Sequence, residues 1–291
     1  MKLAARSRAY VALMKLRVVE LLIITTIPAL VLAQHKFPSM SVAIATLIGG
    51  TLAAGSANAY NQVFDRDIDQ LMERTKSRPL VKHVISPFES TIFATVVGLI
   101  SLLIFWIFTT PLATLLTFIA IAYYVLIYTA LLKRNTRQNI VWGGAAGCMP
   151  VLIGWAAVTN SLSISAVIFF FVIFFWTPPH FWALAIKYKE DYSRAKIPML
   201  PVVASHEIVA SQMWWHSVAM VICSSALGVT AELSMWYQGI AAVLGITFLY
   251  LVWNVRTVDS HKSEKVAAKI FHGSITYLSV LSLAITIFAL I

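Results

Sequence analysis

Charge is what this sequence has least of. Of 291 residues, 12% are Asp, Glu, Lys or Arg and 59% are hydrophobic, with a mean hydropathy of +0.82. Soluble domains carry about 25% charged residues, so a water-soluble globular chain is excluded. Cysteine is scarce as well. Cys148 and Cys223 each lie in an apolar run without CxxC or Cys/His spacing, and both read as small packing residues. No Ser/His/Asp or Cys/His constellation stands out that would activate a nucleophile. The basic start, MKLAARSRAYVALMKLRVVE, is not followed by an apolar stretch with a small-residue cleavage site, so the first long run reads as a retained span.

What the chain has in abundance is apolar runs of membrane-spanning length. Nine are read, at about 19–34, 41–63, 89–108, 112–132, 139–158, 163–186, 210–230, 235–254 and 270–290. Backbone in lipid must satisfy its own hydrogen bonds, and runs this long and uniform exclude a β-barrel. The expected fold is all-α and polytopic, one domain over residues 1–291. Nine transmembrane helices surround a central cavity open to the cytoplasm, with loops at about 65–87 and 187–209 capping it. Glycines at 49, 50, 55, 143, 144, 147 and 154 are read as close helix contacts, and Pro28, Pro150, Pro178 and Pro179 as kinks.

The net charge of +10 follows topology rather than nucleic acid. Connections near 34–40, 109–111, 159–162 and 231–234 are short and almost uncharged. The N-terminal tail and the connections near 65–87, 133–138, 187–209 and 256–269 hold every Lys and Arg except Lys36. By the positive-inside rule the N-terminus is cytoplasmic and the C-terminus is on the other side, in a bacterial inner membrane. All acidic residues but Glu232 lie on or close to that basic face. A coupled transporter would more often place ionisable groups at mid-membrane, which weakens that reading.

The second span delivers the densest polar stretch, NAYNQVFDRDIDQLMERTKSRP. Asn61, Asp65 and Asp69 are spaced i, i+4, i+8, and each step turns a helix by only about 40°, so three oxygen-bearing side chains share one stripe. Crowded carboxylates need a cation between them. A Mg²⁺ site for a diphosphate is one reading; a solvated helix end with Asp–Arg pairs is the other. The sixth span runs into FFWTPPHFWALAIKYKEDYSRAKIPMLPVV, where His180, Lys187 and Asp191 are spaced to share a helical stripe. Lys187 and Asp191 are candidate phosphate or metal contacts below an imidazole. The alternatives are a hydrogen-bonded bundle histidine and ordinary positive-inside lysines. Aromatics cluster near both stretches: Tyr60, Phe64, Tyr123, Tyr124, Trp142, Trp176, Phe181, Trp182 and Tyr188. Most fit an interfacial belt. Tyr60, Phe64 and Tyr188 adjoin the acidic stripes and are the first candidates to stabilise a carbocation.

NQVFDRDIDQLMERTKSRP resembles the signature of the intramembrane aromatic prenyltransferase (UbiA-type) superfamily. WTPPHFWALAIKYKEDYSRAKIPMLPVV and KIFHGSITYLSVL resemble one branch of it, the protohaem IX farnesyltransferases (haem O synthases). The resemblance covers nearly the whole chain. It implies Mg²⁺-dependent transfer of a farnesyl group from farnesyl diphosphate to a vinyl group of haem b, giving haem O for haem-copper terminal oxidases. In those terms Asn61, Asp65 and Asp69, with Asp191 opposite, hold Mg²⁺, and Arg74, Arg78 and Lys187 neutralise the diphosphate. His180 is the first candidate for haem contact, though the basic loops could equally receive the propionates. A downstream haem A synthase or oxidase assembly is the implied partner. An aromatic-acid or quinone-precursor prenyltransferase is the nearest alternative, and a secondary transporter or non-catalytic haem-handling membrane protein is the alternative from another class. Three positions depart from the pattern: His83, Lys196 and Ser205 stand where glycines are expected. Asp191 also lacks an acidic partner four residues on, where Ala195 stands.

Overall fold

The computed structural model describes residues 3–257 and 263–291, and among these there is no β-strand. Helices α1 (Leu3–Met14) and α2 (Leu16–Leu32) lead into α3 (Met40–Phe64) and the single turn α4 (Arg66–Asp69). Next come α5 (Pro87–Phe108) and α6 (Pro111–Ala122), which continues through a π-helical segment, Tyr123–Leu132, into α7 (Lys133–Asn135). Then follow α8 (Asn139–Thr159), α9 (Ile164–Lys187), and the short α10 (Lys189–Arg194) and α11 (Leu200–Val203). The last three are α12 (His206–Thr230), α13 (Met235–Thr257) and α14 (Ser263–Phe288).

Hydroxyl side chains start the long helices. Ser39, Ser86, Thr110, Ser163 and Ser205 accept from backbone N–H groups in the first turns of α3, α5, α6, α9 and α12, relieving donors that lipid could not satisfy. Ser86 and Glu89 complete a capping box, with Pro87 at the first helical position. Ser205, one of the three departures from glycine, therefore serves as a cap.

Among the described residues, eight helices are long and apolar enough to cross a membrane. The remaining expected span, the first, is the 17-residue α2. Two boundaries differ from the sequence reading. The basic tail forms a helix of its own, α1, and α14 begins at Ser263, well before the expected start at 270. Hydropathy misses that beginning because Glu264, Lys265 and Lys269 are exposed while Ala267 and Ile270 on the other face are buried. Lys2 and Lys262, counted in the basic connections, lie outside the described residues. The four prolines remain within continuous helices.

The helices close into a ring around a cavity. α3 packs on α5; α6 and the π segment pack on α8, and α8 on α9. From there α9 packs on α14, α14 on α2, and α2 on both α8 and α3, while α12 and α13 pack on α9 and α14 and add no residue to the cavity wall. Glycine sets two different distances in this ring. A Cβ at Gly143 would fall 2.1 Å from the Tyr128 ring, so α8 and the π segment meet only because it is absent. Gly50 and Gly147 have nothing within 4 Å of a Cβ position and both line the cavity. They are not packing contacts, as the sequence suggested, but places where the wall is thinned.

The other two departures also have a physical reading. His83 and Lys196 adopt left-handed backbone, with φ of 53° and 54°, the conformation a glycine would take without cost.

Gly143→Ala is expected to destabilise by about 1–3 kcal/mol through overpacking, whereas Gly147→Ala is expected to be neutral or stabilising; thermal unfolding in detergent measures both. His83→Gly and Lys196→Gly are each expected to raise stability by up to about 1 kcal/mol, as relief of left-handed strain exceeds the added freedom of the unfolded chain.

Candidate active site

The acidic stripe survives a break in its helix. α3 ends at Phe64 and Asp65 has φ −91° and ψ 2°, yet Asp65 N–H still donates to the Asn61 carbonyl (2.9 Å) and Asp69 N–H to that of Asp65 (2.8 Å). Asn61, Asp65 and Asp69 therefore stay in register, at 3%, 0% and 2% exposure. Carboxylates this buried must be compensated. Lys133 pairs with Asp65 Oδ2, and Asn61 Nδ2 donates to the same oxygen at 2.8 Å. Arg78 Nη1 donates to Asp69 Oδ2 at 2.5 Å. Asp67, on the exposed side of α4, is held by both terminal nitrogens of Arg134 at 2.7 Å. Those hydrogen bonds bring the Asp67 carboxyl down to about 2, so the pair is intact at neutral pH and loosens only as pH falls toward that value. The Asp–Arg pairs of the alternative reading are thus real, but the stripe itself is buried rather than solvated.

Lys15 is the cation that sequence reasoning counted only as a topological flank. It sits between α1 and α2 in left-handed backbone, φ 51°, and its Nζ donates to Asn61 Oδ1 at 2.8 Å. Asn58 and Gln62 of α3 donate to the carbonyls of Met14 and Leu13 at 3.0 and 2.9 Å, satisfying the end of α1 where the chain turns. The surface Lys15 retains opens on the cavity. Burial, then Arg78 and Lys133, push its ammonium well below the usual lysine range. A crowd of cations with this little solvent favours an anion beside it.

The cavity, about 710 Å³, has one charged end and one apolar end. Lys15, Asn61, Asp69, Arg74, Arg78 and Lys133 line the first. Toward the second lie Leu22, Ile23, Phe105, Ile121, Pro150 and Ile153. Three hydroxyls in the wall are turned away: those of Thr26, Thr51 and Thr177 donate to Leu22, Leu47 and Ile173 carbonyls of their own helices at 2.7–2.8 Å, whereas Thr46 Oγ1 has no hydrogen-bond partner among the described residues. The aromatic lining comes from Phe105, Tyr124, Tyr128, Trp176, Phe181 and Tyr192. Of the three aromatics put first from sequence, none is on this wall. Tyr60 hydrogen-bonds Thr95 on α5 at 2.6 Å, Phe64 is 43% exposed in a surface groove, and Tyr188 lies under the Arg74 guanidinium at 5.5 Å.

The second expected stripe does not make one site. His180 and Lys187 share a face of α9, but backbone at Tyr188 (φ −108°, ψ 28°) ends that helix and Asp191 belongs to the separate α10. Lys187 is exposed with its Nζ over the Tyr188 ring, away from the cavity. His180 is buried behind the wall, stacked between Trp176 (4.2 Å) and Phe271 (4.6 Å), with Nδ1 2.8 Å from Ser274 Oγ. Among the described residues no histidine lines the cavity; His261 lies outside them. Asp191 is buried, paired with Arg194, and accepts from the Arg74 backbone N–H at 3.4 Å. Arg74 also donates to Tyr192 at 3.2 Å, and Arg194 to the Leu71 carbonyl at 2.8 Å. The two stretches singled out from sequence therefore meet across the charged end.

No group of three or more His, Cys, Asp or Glu among the described residues forms a complete metal cage. Mg²⁺ does not require one, since it is usually held by one or two carboxylates plus substrate phosphates and water. Asp65 Oδ1 is a buried charged oxygen without a hydrogen-bond partner among the described residues, with Arg134 Nη2 4.0 Å away, and the Asn61 and Asp69 oxygens flank it along the stripe. This donor set fits Mg²⁺.

Known proteins share both sequence and fold. The UbiA prenyltransferase family profile matches residues 22–275. The protoheme IX farnesyltransferase of Frankia casuarinae is 50% identical over 289 residues, covering 99% of this chain and all of the relative. That of Renibacterium salmoninarum is 47% identical over 286 residues, covering 98% and 90%. Among solved structures, one described for digeranylgeranylglyceryl phosphate synthase superposes with a TM-score of 0.81 at 17% identity, over 98% and 99% of the two chains. A UbiA homolog from Archaeoglobus fulgidus bound to DMAPP and Mg²⁺ gives 0.66 at 18% identity, over 94% and 99%. At such identities these structures carry the fold, whereas the close relatives carry the branch. This chain is a membrane prenyltransferase of the UbiA family and belongs to its protoheme IX farnesyltransferase branch.

Proposed function

We propose that this chain joins the farnesyl group of farnesyl diphosphate to a vinyl group of haem b, with addition of water, giving haem O and diphosphate. The observation that carries the donor half is the division of the cavity: cations gathered on buried carboxylates at one end, an apolar aromatic-walled chamber at the other. That is the polarity of an isoprenoid diphosphate. The acceptor half rests on full-length relatives that are protoheme IX farnesyltransferases.

Asn61, Asp65 and Asp69 are the residues to hold Mg²⁺, which when bound supplies positive charge to the leaving diphosphate. Lys15, Arg74, Arg78 and Lys133 surround the same end and take up the remaining phosphate charge. Asp191 supports this end through its contact with the Arg74 backbone. The C1–O bond of the donor breaks and the electron pair leaves with the diphosphate. The rings of Tyr124, Tyr128, Trp176 and Phe181 face the allylic cation and keep water from it until the haem vinyl carbon attacks. Water then captures the cation beside the porphyrin and loses a proton, leaving a hydroxyethylfarnesyl substituent. His180 acts one layer back, fixing Trp176 by stacking, and the product passes to a haem A synthase or terminal oxidase. The charged end faces the cytoplasm across the inner membrane, where diphosphates and Mg²⁺ are available, and basic connections on that face give this orientation.

Asp65→Ala and Asp69→Ala are each expected to lower farnesyl transfer to haem b by roughly 10²–10³-fold in detergent with Mg²⁺. Undiminished transfer in both folded variants would sink the metal assignment, and prenylation of 4-hydroxybenzoate in place of haem would overturn the acceptor. For orientation, a cysteine replacing Lys82 is expected to react with an impermeant maleimide only in inverted vesicles, and one replacing Lys36 only in intact cells.

A further inference from the structure

Lys133 reaches the site by an unusual route. The helix before it, Tyr123–Leu132, is π-helical for ten residues, where most π segments are single turns. In an α-helix the nine steps from Tyr124 to Lys133 make about two and a half turns, which would put the two side chains on opposite faces. With i→i+5 bonding the turn is wider and nine steps make about two turns. Tyr124, Tyr128 and Lys133 accordingly all line the cavity. From the same segment Thr129 accepts from Asn61 Nδ2 at 3.2 Å.

What Lys133 does there follows from the order of layers. Lys133 is on the cavity wall, whereas Asp65, fully buried and paired with it, is not. A cation approaching Asp65 from the cavity meets Lys133 first. Whichever carboxylate oxygen it takes, a divalent ion and an ammonium would then share one buried carboxylate, and like charges in such a place repel. Arg78 faces no such choice, since a guanidinium has donors enough to hold Asp69 and a phosphate together. An ammonium on a flexible four-carbon stem is free to swing.

We propose that Lys133 is an exchanging counter-ion. It competes with Mg²⁺ for Asp65, and on displacement it turns to the diphosphate that arrives with the metal, with the π-helical segment holding it within reach of both. This rests on the assignment of Asp65 to Mg²⁺. It predicts that metal and diphosphate each bind weakly alone and well together.

The test measures binding to the full chain in detergent by calorimetry, first Mg²⁺ alone, then farnesyl thiodiphosphate at saturating Mg²⁺. Lys133→Gln is expected to change the two in opposite directions, each by roughly tenfold, the size expected from one close charge. Mg²⁺ alone binds tighter and the thiodiphosphate binds weaker. Lys133→Arg keeps both affinities close to those of the parent. Added Mg²⁺ should also raise the Tm of Lys133→Gln more than that of the parent, a readout that survives if the variant is unstable. Weakening of both ligands, or an unchanged Mg²⁺ affinity, would overturn the exchange. So would an equal gain in Mg²⁺ affinity from Lys187→Gln, because Lys187 is exposed with its Nζ over the Tyr188 ring and touches none of the stripe residues, and the effect would then be a general field. Asp65→Asn separates the two levels: if it binds Mg²⁺ as the parent does, the metal assignment fails, and not merely the exchange.

Discussion

Two carboxylates buried at the rim of a membrane helix impose the condition the rest of this structure meets. Asp65 and Asp69 are almost wholly removed from water, and an isolated charge there would cost several kcal/mol. Each is matched by a cation from a distant part of the chain or from the next loop, Lys133 and Arg78. The match is incomplete: one oxygen of Asp65 has no hydrogen-bond partner, and Lys15 has an amide rather than a carboxylate as its contact. An arrangement that is nearly neutral yet unsatisfied on both sides suits a ligand that brings both a cation and an anion.

Meeting that condition required departures from regular helix at four places. The chain turns left-handed at Lys15, bends at Asp65, widens to π-helix before Lys133 and breaks at Tyr188. Each departure lies at the charged end, where backbone groups released from the ladder can find side-chain partners, as Asn58 and Gln62 show for the end of α1. The apolar half of the bundle keeps uninterrupted helices and turns the hydroxyls of Thr26, Thr51 and Thr177 onto them.

Those departures also explain which parts of the molecule were legible in the sequence. Spans follow from hydropathy and their ends from serine and threonine caps, so the spans themselves could be read, with α14 too late because its first turns are amphipathic. The Asn61–Asp65–Asp69 stripe was visible because its i→i+4 ladder outlasts the bend. The His180–Lys187–Asp191 set misled, because α9 ends at Tyr188 before Asp191 and the face that His180 and Lys187 share does not reach the cavity. Lys15 and Lys133 look like any basic flank until backbone geometry aims them inward. Choosing aromatics by nearness in sequence to the acidic stripe selected Tyr60 and Phe64, which leave α3 on other faces, whereas Tyr124 and Tyr128 come from a helix whose pitch could not be foreseen.

The ring of helices closes between α14 and α2, the last span against the first. Leu278 of α14 is part of the cavity wall beside residues of α2. Synthesis from the N-terminus thus presents the acidic stripe on α3 long before the chamber is sealed, and lipid stands where α14 will pack. The partner of Asp65 is made only after α5 and α6, whereas Arg78 follows Asp69 by nine residues and Arg194 follows Asp191 by three. During that interval the nascent chain carries Asp65 without Lys133 at the bilayer edge, and the basic connection made just after it, Lys76 to Lys82, is the counter-charge at hand. Charge placement that orients the finished protein therefore also sets counter-charge beside Asp65 before Lys133 is made.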